Sequence, residues 1–168
     1  MFDKEFIMNE NINKIITNVS LNNDITLVTV YNLPNDLSAI AQLFKQLADN
    51  SVNVDMISLN PSQSLSQTVS FSSGGEDLPV VLSTIGSIKA NFPQIRTDIN
   101  SGNCKITFEG EAMKDKCGVA ANIFGIIAEH GISIKLITTS ETKISCLTDE
   151  TEYSKTADMI ENVLNIEN

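Results

Sequence analysis

The sequence predicts an α+β fold built from two copies of one strand-helix-strand-strand-helix-strand unit, and three observations carry that reading. Laid on itself with a shift of 80 positions, the chain brings Ala41, Phe44, Ala48 and Ile57 onto the identical Ala121, Phe124, Ala128 and Ile137, without a gap from 38/118 to 60/140. A repeat of that length is domain-sized, well beyond the 20 to 50 residues of a solenoid repeat. Within each copy, β-branched runs alternate with apolar residues at helical spacing. The second copy reaches Asn168 without a sixth element, while an apolar segment, 14–21 (KIITNVSL), stands unassigned upstream.

The elements of the first copy follow in order. Residues 25–31 (ITLVTVY) form a β-branched run suited to a strand buried on both faces, and the polar turn 32–36 ends it. Ile40, Leu43, Phe44 and Leu47 then recur at spacings of 3 and 4, the mark of one helical face, before Asn50 and Ser51 stop the helix. Residues 52–59 read as a strand, 60–65 as a turn containing Pro61, and 67–72 as the returning strand. Gly74 and Gly75 break the chain. Glu76 and Asp77 place negative charge at the start of a helix whose expected buried face is Leu78, Val81, Leu82 and Ile85, and 94–100 closes the unit. In the second copy 105–109, 133–138 and 143–148 are the strands and 118–130 and 152–164 the helices.

This order is the ferredoxin-like split βαβ arrangement, a four-stranded antiparallel sheet with two helices on one face. A sheet lacking its last strand leaves an unpaired edge. The segment 14–21 is therefore expected to cross over and complete the second sheet, which makes the first unit an insertion within the second. The expected division is an N-terminal segment 1–13, the completing strand 14–21, a first unit 24–101 and a second unit 102–168.

Composition narrows the function. Of 168 residues, 42% are hydrophobic and 21 acidic residues outweigh 11 basic ones for a formal charge of −10, which disfavours nucleic acid and anionic membrane as partners, since both need clustered cations. Three cysteines without a Cys-x-x-Cys and one histidine make neither a disulfide framework nor a zinc site, and no cofactor or metal is expected. The start has no apolar run suited to a signal or a membrane span, so a cytoplasmic protein is expected. Gly74-Gly75 is followed by Glu76-Asp77, which would repel phosphate, and no G-x-x-x-x-G-K-[ST] occurs. No catalytic residues are expected on this chain.

Three runs carry a family resemblance: 139–145 (TSETKIS), 53–57 (NVDMI) and 109–121 (EGEAMKDKCGVAA). They resemble the paired ACT regulatory domains of aspartokinase, with the similarity reaching from about residue 15 to 164. The resemblance implies two ACT modules with an N-terminal strand supplied to the second. It also implies an amino-acid effector, lysine or threonine, bound where modules meet, and feedback control of a kinase that phosphorylates aspartate. A homodimer is expected, with an aspartokinase catalytic subunit or domain as partner. A stand-alone amino-acid sensor and a ligand-free dimerisation module are the alternatives.

By the same resemblance the effector is held by the loop after the first strand and the start of the first helix, where backbone N–H groups attract a carboxylate. The residues implied are Asn35, Asp36, Leu37, Ser38 and Ala39, with Asp55, Met56 and Ile57 from the following strand. This chain keeps Pro34 but departs from the family's P-D-x-P-G at Asn35, Leu37 and Ser38, and has Leu59 where a glutamine is usual. Asp36 or Asp55 is then left to hold the ammonium. A second loop, Met113, Lys114, Cys117, Gly118, Ser140 and Glu141, is the corresponding region of the second module. Cys117 beside Lys114 and Lys116 reads either as a reactive thiol or as a small residue at a helix start. His130 reads as a helix cap, and Asp149, Glu150 and Glu152 suit the dipole of the last helix.

Overall fold

The computed structural model describes residues 12–61 and 65–164. Only Ile12 and Asn13 of the expected 1–13 segment, and not the tip of the 60–65 turn at 62–64, fall within the described residues. The chain divides into a first unit, residues 24–102, and a second made of 103–168 together with the segment ending at Asn23. Its helices are α1 (Ile12–Ile15), α2 (Leu37–Asp49), α3 (Leu78–Asn91), α4 (Val119–Glu129) and α5 (Tyr153–Leu164). The strands are β1 (Asn18–Pro34), β2 (Ile57–Pro61), β3 (Ser66–Gly74), β4 (Arg96–Glu109), β5 (Ile134–Thr139) and β6 (Lys143–Asp149).

The first unit orders its strands β2-β3-β1-β4 and the second β1-β4-β6-β5. Both are ferredoxin-like, and the first is inserted in the second because β1 and β4 each run through both. β1 pairs antiparallel with β3, Val28 opposite Phe71 and Val30 opposite Val69, and β4 pairs antiparallel with β6, Ile106 opposite Cys146. The four strands expected at 14–21, 25–31, 94–100 and 105–109 are thus two long ones. The strands continue through Asn22 to Asp24 and Ser101 to Asn103, with Asp24 at φ 55° on one crossing.

Several elements differ from their sequence reading. The expected strand at 14–21 begins only at Asn18, because Ile12–Ile15 close a helical turn with the Ile16 N–H donating to Ile12 O at 2.8 Å. Along 25–31 burial alternates, Thr26, Val28 and Val30 inward and Leu27, Thr29 and Tyr31 outward, as befits a sheet covered by helices on one face only. Residues 52–56 are not strand. Val52 and Met56 are both buried at a spacing of four, and the Met56 N–H donates to the Ser72 hydroxyl at 3.1 Å. In α3 the buried face is Val81, Thr84, Ile85 and Ile88, while the expected Leu78 is only partly buried and Leu82 is half exposed, because the face packed on the sheet follows the 81, 84, 85, 88 stripe.

Each unit has its own core. The first gathers Val28, Val30, Leu43, Leu47, Val69, Phe71, Val81 and Ile88, with the Phe44 ring edge-on to Phe71 at 5.8 Å. Each such side chain contributes about 1.5–3 kcal/mol by leaving water. The second gathers Ile106, Phe108, Ile123, Ile127, Ile144 and Met159, and Ile12, Ile16 and Val19 belong to it. The N-terminal segment is further tied in by Thr17 N–H to Glu109 O at 2.8 Å.

Candidate functional site

In the first unit the loop between β1 and α2 satisfies itself. Asp36 caps α2: its carboxylate accepts the Ser38 N–H at 3.0 Å and the Ser38 hydroxyl. Those bonds, the hydroxyl first, hold its pKa below the usual carboxylate value. The Ala39 N–H goes to Asp36 O at 3.1 Å and the Asn35 N–H to Leu65 O at 2.9 Å. From β3 the buried Gln67 side chain donates to Pro34 O at 2.7 Å. The two amides expected to receive an effector carboxylate are therefore already engaged by Asp36.

The remaining first-unit residues do not gather. Leu37 is 76% exposed, Met56 is buried, Ile57 is half exposed on the edge strand, and the Asp55 N–H donates to Ser72 O at 3.0 Å. A cavity of about 590 Å³ opens beside the loop, but it is lined by Asn32, Pro34, Leu65, Ser66 and Gln94, none of them an expected site residue.

The second unit brings its candidates together. A cavity of about 250 Å³ is lined by Met113, Lys116, Gly118, Val119, Ala120, Thr139, Ser140, Glu141 and Ile144. Its size is near the lower end of small-molecule sites, ~300–1,000 Å³. Four of the six expected residues line it. Lys114 instead pairs with Glu111 at 3.4 Å, and Cys117 is exposed beside the wall. Lys116, Val119, Ala120, Thr139 and Ile144 were missed as lining residues, although all five sit inside the runs that carried the resemblance.

Local structure explains the convergence. The turn Glu111–Asp115 folds Met113 inward, its N–H donating to Gly110 O at 3.1 Å. Gly118 then takes φ 83°, a left-handed conformation that a side chain would strain, and starts α4 with no side-chain cap. The opposite wall is the β5–β6 turn, closed by Ser140 N–H to Lys143 O at 2.8 Å, and Lys143 is pinned to Glu109 at 2.6 Å. Among the described residues neither the Lys116 ammonium nor the Glu141 carboxylate has a side-chain partner. A cation, an anion and the first amides of a helix thus face one small space, a combination suited to a zwitterion.

The other singled-out groups have structural roles. Cys104 and Cys146 are fully buried in β4 and β6, and burial pushes their thiols up to about 11 and about 12. His130 Nδ1 lies 2.8 Å from Ile126 O at the end of α4. Asp149 accepts from the Thr151 hydroxyl at 2.7 Å and from Lys135 at 3.0 Å, which hold its carboxyl well below the usual range. Among the described residues no three potential ligands group as a metal site, and no helix is long and apolar enough to cross a membrane.

Residues 106–164 match the family model described as ACT domain. The chain is 30% identical over 162 residues to an aspartokinase of Bacillus sp. (strain MGA3), covering 95% of this chain and 38% of the relative. It spans about a third of the length of the curated relatives it matches. A crystal structure of aspartokinase alpha and beta subunits superimposes with a TM-score of 0.80 at 27% identity, covering 90% of this chain and 99% of that one. The ligand-free regulatory subunit of aspartate kinase from Thermus thermophilus shares the fold with a TM-score of 0.78 at 21% identity, covering 89% and 99%. Residues 106–164 thus resemble ACT domains, within a chain similar along most of its length to the matching third of aspartokinases.

Proposed function

We propose that this chain is the amino-acid-sensing pair of ACT modules that regulates an aspartokinase, and that it contributes no catalytic residue itself. The observation that carries the reading is the second-unit cavity, where Lys116 and Glu141 stand on the walls beside the uncapped start of α4. An effector of the lysine or threonine class would direct its carboxylate to Lys116 and the α4 amides and its ammonium to Glu141. Binding that favours one arrangement of the chain would change the activity of an associated kinase part by linkage. The half-exposed Ile57 and Leu59 on edge strand β2 support assembly as a homodimer.

Calorimetry and melting curves with lysine and threonine test the reading. Loss of one charge-assisted contact costs ~1.5–3 kcal/mol, a factor of roughly ten to a hundred in affinity. Glu141→Gln and Lys116→Ala should each weaken binding by that factor, while Asp36→Ala should not. A specific observation favours a second reading, a ligand-free dimerisation module: in the first unit the amides of Ser38 and Ala39 are taken by Asp36. No heat with either amino acid at millimolar concentration, together with a stable dimer by light scattering, would decide for it.

A further inference from the structure

The wall of the second-unit cavity and the N-terminal segment are one packed body. Met113, Val119 and Ile144 line the cavity and belong to the same buried cluster as Ile12, Ile16 and Val19. Two backbone routes join them as well. On one side the residue after Glu141, Thr142, accepts the Gly110 N–H at 3.0 Å. Gly110 in turn lies so close to the Ile15 carbonyl that a Cβ there would overlap it. On the other side Met113 rides on the turn that starts at Glu111, directly after Gly110. Just before Gly110, Glu109 holds the incoming segment through Thr17 N–H at 2.8 Å and the Asn18 side-chain amide at 3.2 Å. Both walls of the cavity therefore converge on Glu109-Gly110, and Glu109-Gly110 is where the segment 12–19 docks.

We infer that occupancy of this cavity is read out through the N-terminal segment: filling it changes how firmly residues 12–19 dock on Glu109, Gly110 and Met113. The inference rests on the regulatory reading for the identity of the natural occupant, but not for the coupling itself. A close-packed interior cannot absorb a displacement at the buried Met113, Val119 or Ile144 without moving what packs behind them. Ahead of β1, which begins at Asn18, the segment is held by the side chains of Ile12 and Ile16 and by hydrogen bonds from Thr17 and Asn18 to Glu109, a short attachment that such a displacement can release or tighten. Thermodynamic reciprocity then requires that loosening the segment change affinity at the cavity by the same factor that occupancy changes docking.

Two arms of one experiment keep the coupling distinct from the ligand. In the first, hydrogen exchange is followed with Ser140→Trp, and with Ser140→Leu in case the larger residue does not fold, each placing apolar bulk in the cavity without any amino acid. Exchange at the amides of 16–19 should change roughly five-fold or more, with β3 of the first unit unchanged. In the second, lysine and threonine are titrated against the full chain and against Ile12→Ala, with Leu43→Ala as a buried control in the other unit. Affinity should shift by a similar factor in Ile12→Ala and stay constant in the control. Unchanged exchange at 16–19 in the filled variants, or equal affinity in Ile12→Ala and wild type, overturns the coupling. Absence of any amino-acid binding removes the regulatory reading alone, and the first arm still decides the inference.

Discussion

Replacing Ile16 by alanine separates the two units experimentally. Ile16 is 1% exposed and sits in the second core among Ile106, Phe108, Ile123 and Met159, although in sequence it lies beside the first unit. Truncating a buried isoleucine costs about 2–5 kcal/mol, through lost transfer energy and the cavity left behind. A domain of this size is stable by only ~5–15 kcal/mol, so the loss is a large fraction of what holds the second unit. Hydrogen exchange should show protection falling in β6 (Lys143–Asp149) while β3 (Ser66–Gly74) keeps its own. Ile57→Ala, on a side chain already half exposed, should cost less than about 1 kcal/mol. Equal loss of protection in β3 and β6, or none in either, would refute the argument that the N-terminal segment belongs to the second core. Gly110→Ala, which forces a Cβ against the Ile15 carbonyl, should reproduce the Ile16 pattern without touching an apolar side chain.

Further expectations concern single groups. The Thr26 hydroxyl is fully buried without a hydrogen-bond partner among the described residues, so Thr26→Val should raise the denaturation midpoint, by about 1 kcal/mol or more in free energy. Asp149 and Glu109 have folded pKa values below their ordinary 3.8 and 4.5, the former through Thr151 and Lys135, the latter through Lys143 and Asn18. Groups depressed in this way stabilise the fold above their unfolded pKa, and that stability is lost as pH falls through the folded value. The acid limb of a stability profile should therefore begin near pH 4.5 (about the ordinary carboxylate range) and be shallower in Lys135→Met. Of the three thiols only Cys117 is exposed, so a native-state alkylation followed by mass spectrometry should find one label, at that position. Gly118→Ala should destabilise by about 1–2 kcal/mol in chemical denaturation, because φ 83° is left-handed.

Much of the fold was legible because each unit hides its helices and strands in different periodicities. Leu43 and Leu47 recur at helical spacing and are fully buried, and the 80-residue repeat put Leu43 on Ile123 and Leu47 on Ile127, all four now in the two cores. The boundaries were less legible for identifiable reasons. The sequence reading placed 14–21 and 25–31 in separate strands, yet one strand, β1, runs unbroken from Asn18 to Pro34. Leu82 and Ile85 fit one helical face equally well on paper, and only the packing of α3 shows that Leu82 is left half exposed.

The candidate site divides in the same way. The runs EGEAMKDKCGVAA and TSETKIS lie about twenty residues apart, and nothing in their spacing says that Lys116 and Glu141 face one cavity. That follows from the pairing of β5 with β6 and from the left-handed turn at Gly118, which together bring two remote backbone segments against the start of α4. In the first unit the sequence supplied a polar loop with an aspartate but not its state. Asp36 turned onto Ser38 is a choice of local over external hydrogen-bond partners, with Gln67 holding the neighbouring Pro34 carbonyl from β3. By itself the sequence determined the α+β class, the duplication and the need for a strand from upstream, because these depend on periodicity and on counting elements. Which amides stay available, which cavity forms and how the upstream segment docks depend on contacts between residues dozens of positions apart, such as Ile15 with Gly110, and only the tertiary structure decides those.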